Sequence, residues 1–289
     1  MQEFSELRER NVARIKVGTK TKLQYSLEDM ADCGSYWVLL INLVDSGAPH
    51  VVTNRIDGSD HDRSIIEFND DQGLETSAHV VIFKQPTRQR KHLLLFEKSA
   101  GVPFSRASAF LNKLARLSAK VNPAVYQKPH PSGAQGKTIN TYCELSLYAH
   151  PSDTFQSELS EGKLNDLRLV THAVDFKGYD VNAHPHLDST EIVVNVGKQS
   201  IFRSGGNWKH LQKSLKAASD LNMPYVRVRF SDKTGSGHTA VLSTDTSTIY
   251  NQDKYVKKRK ISDFRSTLPT AVPVIHDEIV QKMVEIKDG

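Results

Sequence analysis

The sequence predicts an α+β protein built mostly from antiparallel sheets, with a few amphipathic helices. Short β-branched and aromatic runs, bounded by Gly, Asp or Pro, recur along the chain, and several turns between them suit antiparallel pairs. Other segments instead repeat apolar residues at helical spacing. The 289 residues are 38% hydrophobic and 25% charged, which is the composition of a globular protein with a sizeable core.

The first half of the chain carries most of the predicted strands. They cover residues 13–17, 36–44, 50–56, 64–68, 77–83 and 92–97. A long helix follows, because Pro103 suits a first helical turn and apolar residues then recur at helical spacing as far as Val121. We therefore expect an N-terminal α+β lobe over residues 1–121.

A Pro- and Gly-rich stretch, residues 122–137, has no periodic pattern and is predicted to be a linker or mobile loop joining two lobes. The C-terminal lobe, residues 138–289, is again predicted to be α+β, and no internal repeat is visible in it. Its predicted strands cover 138–148, 166–174, 191–196, 225–230, 238–243 and 254–258, and its predicted helices cover 152–160, 207–221 and 274–286.

Bulk properties exclude several classes of protein. The longest apolar run, residues 36–44, has about half the length of a membrane-spanning helix, and the N-terminus is polar, so we expect a cytoplasmic protein without a membrane span. Cys33 and Cys143 lack the spacing of a disulfide scaffold or a zinc finger, and we expect both to be buried thiols. Motifs for nucleotide triphosphates and for serine hydrolysis are missing.

Residues 203–260 hold a local excess of positive charge. They contain twelve Lys and Arg against four Asp and no Glu, a net charge of +8, whereas the whole chain carries only +5. A concentrated field of one sign attracts a polyanion more than a small substrate. Nucleic acid, either DNA or RNA, is therefore the predicted partner. Since no base-reading motif occurs, we expect contacts with backbone phosphates irrespective of sequence.

The predicted contact residues form three groups in this region and a fourth elsewhere. The first, on the polar face of the helix over 207–221, comprises Lys209, Lys213 and Lys216. The second, on one side of the alternating strand over 225–230, comprises Arg227 and Arg229, which would bind phosphate or pair with acids of a neighbouring strand. The third is the run Lys254, Lys257, Lys258, Arg259 and Lys260. Arg106 and Lys113, on the polar face of the first long helix, are secondary candidates.

Two polar clusters offer metal-binding chemistry as an alternative. His184, His186 and Asp188 would give a divalent cation two imidazoles and a carboxylate, as in a metal-dependent nuclease, although a solvated loop is the simpler interpretation. The acids of residues 57–62 lack the register of a calcium loop. We therefore predict no catalytic residue, metal or cofactor. The nuclease stays as an alternative function, and a basic face that docks an acidic protein partner is a third.

The order of elements from Asp188 onward resembles the RexA family of phage-exclusion proteins. The similar pieces are an EIVV strand, the lysine-rich helix NWKHLQKSLKAASDLN, the hairpin YVRVRFSDKTGSGHTAVLST and the closing helix IHDEIVQKM, about a third of the chain. The segments HLLLFEKSAG and FLNKL also resemble proteins of bacterial phage-defence islands.

This resemblance implies a homodimer that binds double-stranded DNA without sequence preference, in the anti-phage defence called abortive infection. It also makes a second defence-system protein a partner to test. The family offers no established catalytic residue to carry over. The residues that would inherit DNA contact are Lys209, Lys213, Lys216, Arg227 and Arg229.

Overall fold

The chain folds into two compact units. Contacts assign Met1–Leu145 and Lys260–Gly289 to unit 1, and Ser146–Arg259 to unit 2. The computed structural model describes residues 1–16, 22–54, 63–86, 91–99, 101–130, 137–147, 149–171, 190–194, 207–221, 223–244 and 255–287. The predicted α+β class with mainly antiparallel sheets is confirmed. Within these ranges, every helix is too short or too polar to cross a membrane.

Unit 1 is built around a five-stranded sheet. The strands of this sheet are β1 (Arg14–Lys16), β2 (Leu23–Asp32), β3 (Tyr36–Asp45), β6 (Leu74–Pro86) and β7 (His92–Phe96), and two separate hairpins comprise β4 (Val51–Asn54) with β5 (Arg63–Ile66) and β8 (Gln127–Pro129) with β9 (Thr138–Asn140). The helices are α1 (Gln2–Glu9), α2 (Phe104–Val121), α3 (Pro123–Tyr126) and α6 (Asp277–Glu285). The sheet order is β1-β2-β3-β6-β7, and every neighbouring pair is antiparallel.

The central strand β3 accounts for the longest apolar run of the sequence. Leu39 and Ile41 lie in one buried cluster with Leu114 of α2. Val38, whose side chain lies on the opposite face of the sheet, belongs to a second cluster with Ile279 of α6. Because β3 is covered on both faces, its sequence is continuously apolar and does not alternate with polar residues.

A row of polar side chains lies on the α6 side of this sheet. Asn42, Ser77 and His79 are all buried there. The segment 270–276 crosses this row and supplies its hydrogen-bond partners. Asn42 Nδ2 donates to the carbonyl of Val272 at 3.0 Å, and the Val272 N–H donates to Ser77 Oγ at 2.8 Å. We call residues 270–276 the strap, because its backbone satisfies polar groups that the sheet otherwise buries.

His79 is a further buried contact of the strap. Its Nε2 accepts a hydrogen bond from the backbone N–H of His276 at 3.0 Å, so this nitrogen carries no proton. The other ring nitrogen, Nδ1, lies 2.7 Å from Glu97 Oε2 and therefore donates its hydrogen to that carboxylate. The side chain of His79 is only 1% exposed, and the two contacts fix both its tautomer and its orientation.

Unit 2 consists of two halves that have the same order of secondary-structure elements. It contains α4 (Asp153–Glu161), β10 (Lys163–Thr171), β11 (Thr190–Val194), α5 (Asn207–Asp220), β12 (Tyr225–Ser231) and β13 (Gly237–Ser243). The sheet order is β11-β10-β12-β13, and all neighbours are antiparallel. Each half is a helix followed by two strands, and the first strands of the two halves pair at the centre. The sequence shows no repeat, so this doubling exists in the topology alone.

The core of unit 2 lies between the sheet and its two helices. Leu159 of α4 and Leu215 of α5 pack in one buried cluster with Val226, Val228 and Phe230 of β12. Both helices therefore cover the same face of the sheet. The side chains that alternate with these three residues along β12 lie on the other face.

Three local predictions are wrong. Cys33, between β2 and β3, and Cys143, after β9, are exposed and not buried. The strand predicted over 138–148 ends at Asn140, because the backbone of Leu145 instead forms two hydrogen bonds with the Asn112 side chain, each of 2.8 Å. Residues 255–258 form only an isolated bridge, between Val256 and Pro151.

The turn between β12 and β13 is held by one carboxylate. Asp232 Oδ1 accepts hydrogen bonds from the Thr234 N–H at 2.9 Å, the Thr234 hydroxyl at 2.6 Å and the Ser236 N–H at 3.0 Å. Asp232 Oδ2 lies 3.0 Å from His238 Nε2. The contact with His238, followed by those with Thr234, holds the pKa of Asp232 far below its ordinary value.

Because the pKa of Asp232 is lowered in the fold, we expect the free energy of unfolding to depend on pH. A carboxyl group with a lowered folded-state pKa stabilises the fold fully above its unfolded pKa of about 4, and the contribution is lost progressively as the pH falls from that value toward the folded-state pKa. We therefore expect Asp232→Asn to be destabilising at pH 6, with a difference from the parent that shrinks between pH 5 and pH 3. Urea unfolding at each pH measures it. A difference that stays constant over this range would contradict the assignment.

Candidate nucleic-acid interface

Helix α5 presents the first predicted group of lysines. Leu211, Leu215 and Ala218 are buried at helical spacing, which fixes the opposite side of the helix toward solvent. The start of α5 is anchored by Asn207, whose buried Nδ2 donates to the carbonyls of Leu159 at 2.8 Å and Gly162 at 3.1 Å. The sequence thus folds α5 with a defined outward face.

Lys209, Lys213 and Lys216 lie on that outward face, as predicted, and all three are exposed. Their spacing of four and three residues places them within about 10 Å along the helix axis. Within the part of the chain that the structure describes, none of their ammonium groups lies within 4.0 Å of a carboxylate. Like charges at this spacing repel each other by a few tenths of a kcal/mol per pair, about as much as opposite charges gain. We call these residues the lysine face.

The second predicted group lies on β12. The alternation is confirmed, because Val226 and Val228 are buried whereas Arg227 is half-buried and Arg229 is exposed. Sequence reasoning missed a third arginine on the same side. Arg168 of β10 is the direct cross-strand partner of Arg227 in the β10–β12 register. The register of a strand pair follows from tertiary structure, so no local pattern identifies this neighbour.

The carboxylate of Asp166 lies among these arginines. Asp166 is the cross-strand partner of Arg229, with Asp166 Oδ2 3.7 Å from Arg229 Nη1, and its Oδ1 lies 3.5 Å from Arg168 Nε. Cross-strand pairing with an acid, the alternative to phosphate binding, is therefore present for Arg229. The Arg229 side chain keeps 48% of its surface accessible, whereas that of Asp166 keeps only 23%, so the pair is partly buried. We call Arg168, Arg227 and Arg229 the arginine face.

The lysine face and the arginine face lie on opposite sides of unit 2. Helix α5 covers the side of the sheet that carries Val226 and Val228, and its lysines point away from the sheet. Arg227 and Arg229 alternate with these valines and project from the opposite side of the sheet. The charge excess of residues 203–260 is thus divided between two surfaces.

The third predicted group lies beside the start of α4. Lys257, Lys258 and Arg259 are exposed, and Lys254 lies outside the described residues. The preceding Tyr255 is buried, and backbone hydrogen bonds join Ser152 N–H to the Tyr255 carbonyl at 2.7 Å and Lys257 N–H to the His150 carbonyl at 2.8 Å. The three cations line a hollow of about 200 Å³, together with Ser152, Asp153, Thr154 and Val256.

The remaining candidates belong to unit 1. Lys260, Arg106 and Lys113 are all exposed, the last two on α2. Arg106 lies near Tyr25. Burial raises the pKa of the Tyr25 hydroxyl, and the positive charge of Arg106 partly opposes this rise. The structure therefore brings together the candidates of unit 2 in three places and assigns these three residues to a different unit.

The described residues show no arrangement of side chains that supports the metal-binding alternative. His184, His186, Asp188 and residues 57–62 all lie outside them. Among the residues whose structure is described, no three His, Cys, Asp or Glu side chains converge as metal ligands do.

Comparisons with protein-family models, with curated proteins and with solved structures find no match to this chain. The physical features of the two units are therefore the basis on which a function is inferred.

Proposed function

We propose that this chain binds double-stranded DNA through its backbone phosphates, without sequence preference. The observation that carries the proposal is the lysine face. Three ammonium groups are fixed on one side of a well-anchored helix, are exposed, and have no carboxylate partner among the described residues. A polyanion relieves their mutual repulsion and releases its own counterions on binding.

The spacing of the lysine face suits a duplex. Double-stranded DNA carries one negative charge per about 1.7 Å of its axis, so a helix segment of about 10 Å lies opposite several phosphates. Lysine binds phosphate as a point charge on a flexible stem and does not read base edges. Binding through these residues therefore depends strongly on salt and weakly on sequence.

We further propose that the protein acts as a homodimer in the cytoplasm and that its DNA binding serves anti-phage defence. The support for this wider setting is the resemblance of the segments after Asp188 to the phage-exclusion family. Any second defence-system protein would then be recruited by a chain already bound to DNA.

The test is a mobility shift with unrelated duplexes at two salt concentrations. Reversing the lysine face, with Lys209→Glu, Lys213→Glu and Lys216→Glu together, is expected to weaken binding about 100-fold at 0.1 M salt, equally for every duplex. The slope of log affinity against log salt should fall by about 3. The matched control reverses Lys16, Lys128 and Lys137, which are exposed residues of unit 1, and changes net charge equally.

Several outcomes would overturn the proposal. These are unchanged affinity in the lysine-face variant, an equal loss in the control, or a loss confined to one sequence. Parallel lanes with single strands and RNA test the choice of duplex DNA. Incubation of plasmid with Mg²⁺ or Mn²⁺ tests the nuclease alternative, and cleavage that survives purification would replace binding as the primary function.

A further inference from the structure

We propose that helix α2 of unit 1 carries a second nucleic-acid surface, which binds an unpaired strand. The 18 residues of α2 include four cations, Arg106, Lys113, Arg116 and Lys120, and no acid. All four are exposed, whereas the opposite side of the helix packs in the core of unit 1. We call these four cations the α2 stripe. It is independent of the lysine face, because the two surfaces belong to different units.

The α2 stripe follows the length of the helix. Arg106, Lys113 and Lys120 are seven residues apart, which is nearly two turns, and Arg116 lies about one turn from Lys120. The stripe is therefore about 21 Å long. Among the residues that the structure describes, no carboxylate lies within 4.0 Å of these cations. One DNA strand carries a phosphate for about every 3.4 Å of a duplex axis, so several phosphates of a strand fit along the stripe.

An exposed tyrosine lies beside the stripe. Tyr142 keeps 47% of its surface accessible, and the guanidinium carbon of Arg116 lies 5.0 Å from the centre of its ring. The segment that carries Tyr142 is held on both sides. Asn112 of α2 makes two hydrogen bonds of 2.8 Å with the backbone of Leu145, and the N–H of the residue before Tyr142 donates to the Tyr126 carbonyl at 2.9 Å. The stack of Tyr142 and Arg116 is therefore formed without a ligand.

This stack favours an unpaired strand over a duplex. Aromatic rings and guanidinium planes bind the faces of bases, and in a duplex those faces are covered by neighbouring bases. An unpaired base extends the stack of Tyr142 and Arg116, while the phosphates on either side of it contact Lys113 and Lys120. Glu144, an exposed acid two residues after Tyr142, forms no ion pair with the stripe. Because every base has a ring face, this binding tolerates any sequence.

Fluorescence anisotropy with a labelled oligothymidylate of about 20 nucleotides, longer than most single-strand sites, tests the inference. The full chain carries Lys209→Glu, Lys213→Glu and Lys216→Glu, so that the lysine face does not contribute. This protein is expected to bind the oligonucleotide. Adding Tyr142→Ala should weaken binding at least about fivefold, the lower end of the effect of removing one stacked base. The matched control Tyr142→Phe keeps the ring and should bind within about twofold.

The salt dependence tests the α2 stripe itself. In the same protein, Lys113→Gln with Lys120→Gln should lower the slope of log affinity against log salt by about 1.4, which is about 0.7 for each phosphate contact of a single strand. With the lysine face intact, the same two substitutions should change the mobility shift of a duplex less than about twofold. An oligouridylate of equal length distinguishes an RNA strand from a DNA strand.

The outcomes separate this inference from the proposed function. If wild-type protein shifts a duplex but the protein with the reversed lysine face binds no oligonucleotide, the inference is wrong and duplex binding stands. Equal oligonucleotide affinity with and without Tyr142→Ala would also overturn it, since no base would then stack on the ring. If wild-type protein shifts no duplex while the oligonucleotide is bound and lost with Tyr142→Ala, the proposed function fails and this inference stands.

Discussion

Phe155→Ala is expected to destabilise unit 2 by about 3–5 kcal/mol, the cost of removing a fully buried phenylalanine. Phe155 is completely buried at the start of α4. Its ring lies 5.0 Å from that of Tyr255, 5.8 Å from that of Phe230 and 6.0 Å from that of Trp208, measured between centroids. The substitution therefore leaves a cavity at the point where both helices, the sheet and the segment after residue 254 meet.

Urea unfolding followed by tryptophan fluorescence measures this effect. The chain has two tryptophans, so a Trp37→Phe background leaves Trp208, which is part of the same aromatic cluster, as the probe. Phe155→Leu is the matched control, since it keeps most of the apolar volume and should cost much less. A loss below about 1 kcal/mol for Phe155→Ala would mean that the cluster does not support unit 2.

His79→Leu is expected to cost about 2–4 kcal/mol in unit 1, because it keeps apolar volume but leaves the His276 N–H without its acceptor. It also removes one of the two hydrogen bonds that Glu97 Oε2 accepts from residue 79. The strap should also open locally, and amide hydrogen exchange over residues 270–276 should accelerate before global unfolding. Exchange measured by mass spectrometry on peptides from this segment gives the local free energy.

His276→Ala is the matched control for the strap. The contact with His79 uses the backbone N–H of His276, and the side-chain Nδ1 of His276 has no hydrogen-bond partner among the described residues. Removing that side chain should therefore leave exchange in the strap nearly unchanged. Equal acceleration in both variants would show that bulk at position 276, and not the imidazole of His79, holds the strap.

The fold class and the amphipathic helices were predictable because their patterns are local. In α2, α5 and α6 the apolar residues recur every three or four positions within one segment. Strand β2 was not predicted, because the register shift between Leu27 and Asp29 interrupts the alternation of its side chains. Helix α1, of eight residues, buries only Phe4 and Leu7 and is too short to show a clear period.

The candidate site was predictable only in part. The exposure of Lys209, Lys213 and Lys216 follows from the apolar stripe of their own helix. The neighbourhood of Arg227 was not predictable, because Arg168 lies beside it through a strand pairing between residues 59 positions apart. The opposition of the two cationic faces also depends on which side of the sheet α5 covers, and that is a property of the packed core.

Because unit 1 is formed by two separate segments of the chain, it can be completed only after unit 2 has been synthesised. Unit 2 is encoded between them, and the strap joins residues separated by as many as 246 positions, such as Ile275 and Asp29. Because translation proceeds from the N-terminus, the whole of unit 2 leaves the ribosome before residues 260–289 do. A nascent chain stalled after Arg259 would hold every residue of unit 2 but only the first segment of unit 1. The buried row formed by Asn42, Ser77 and His79 would then lack the hydrogen bonds that residues 270–276 supply, until the last thirty residues have been synthesised.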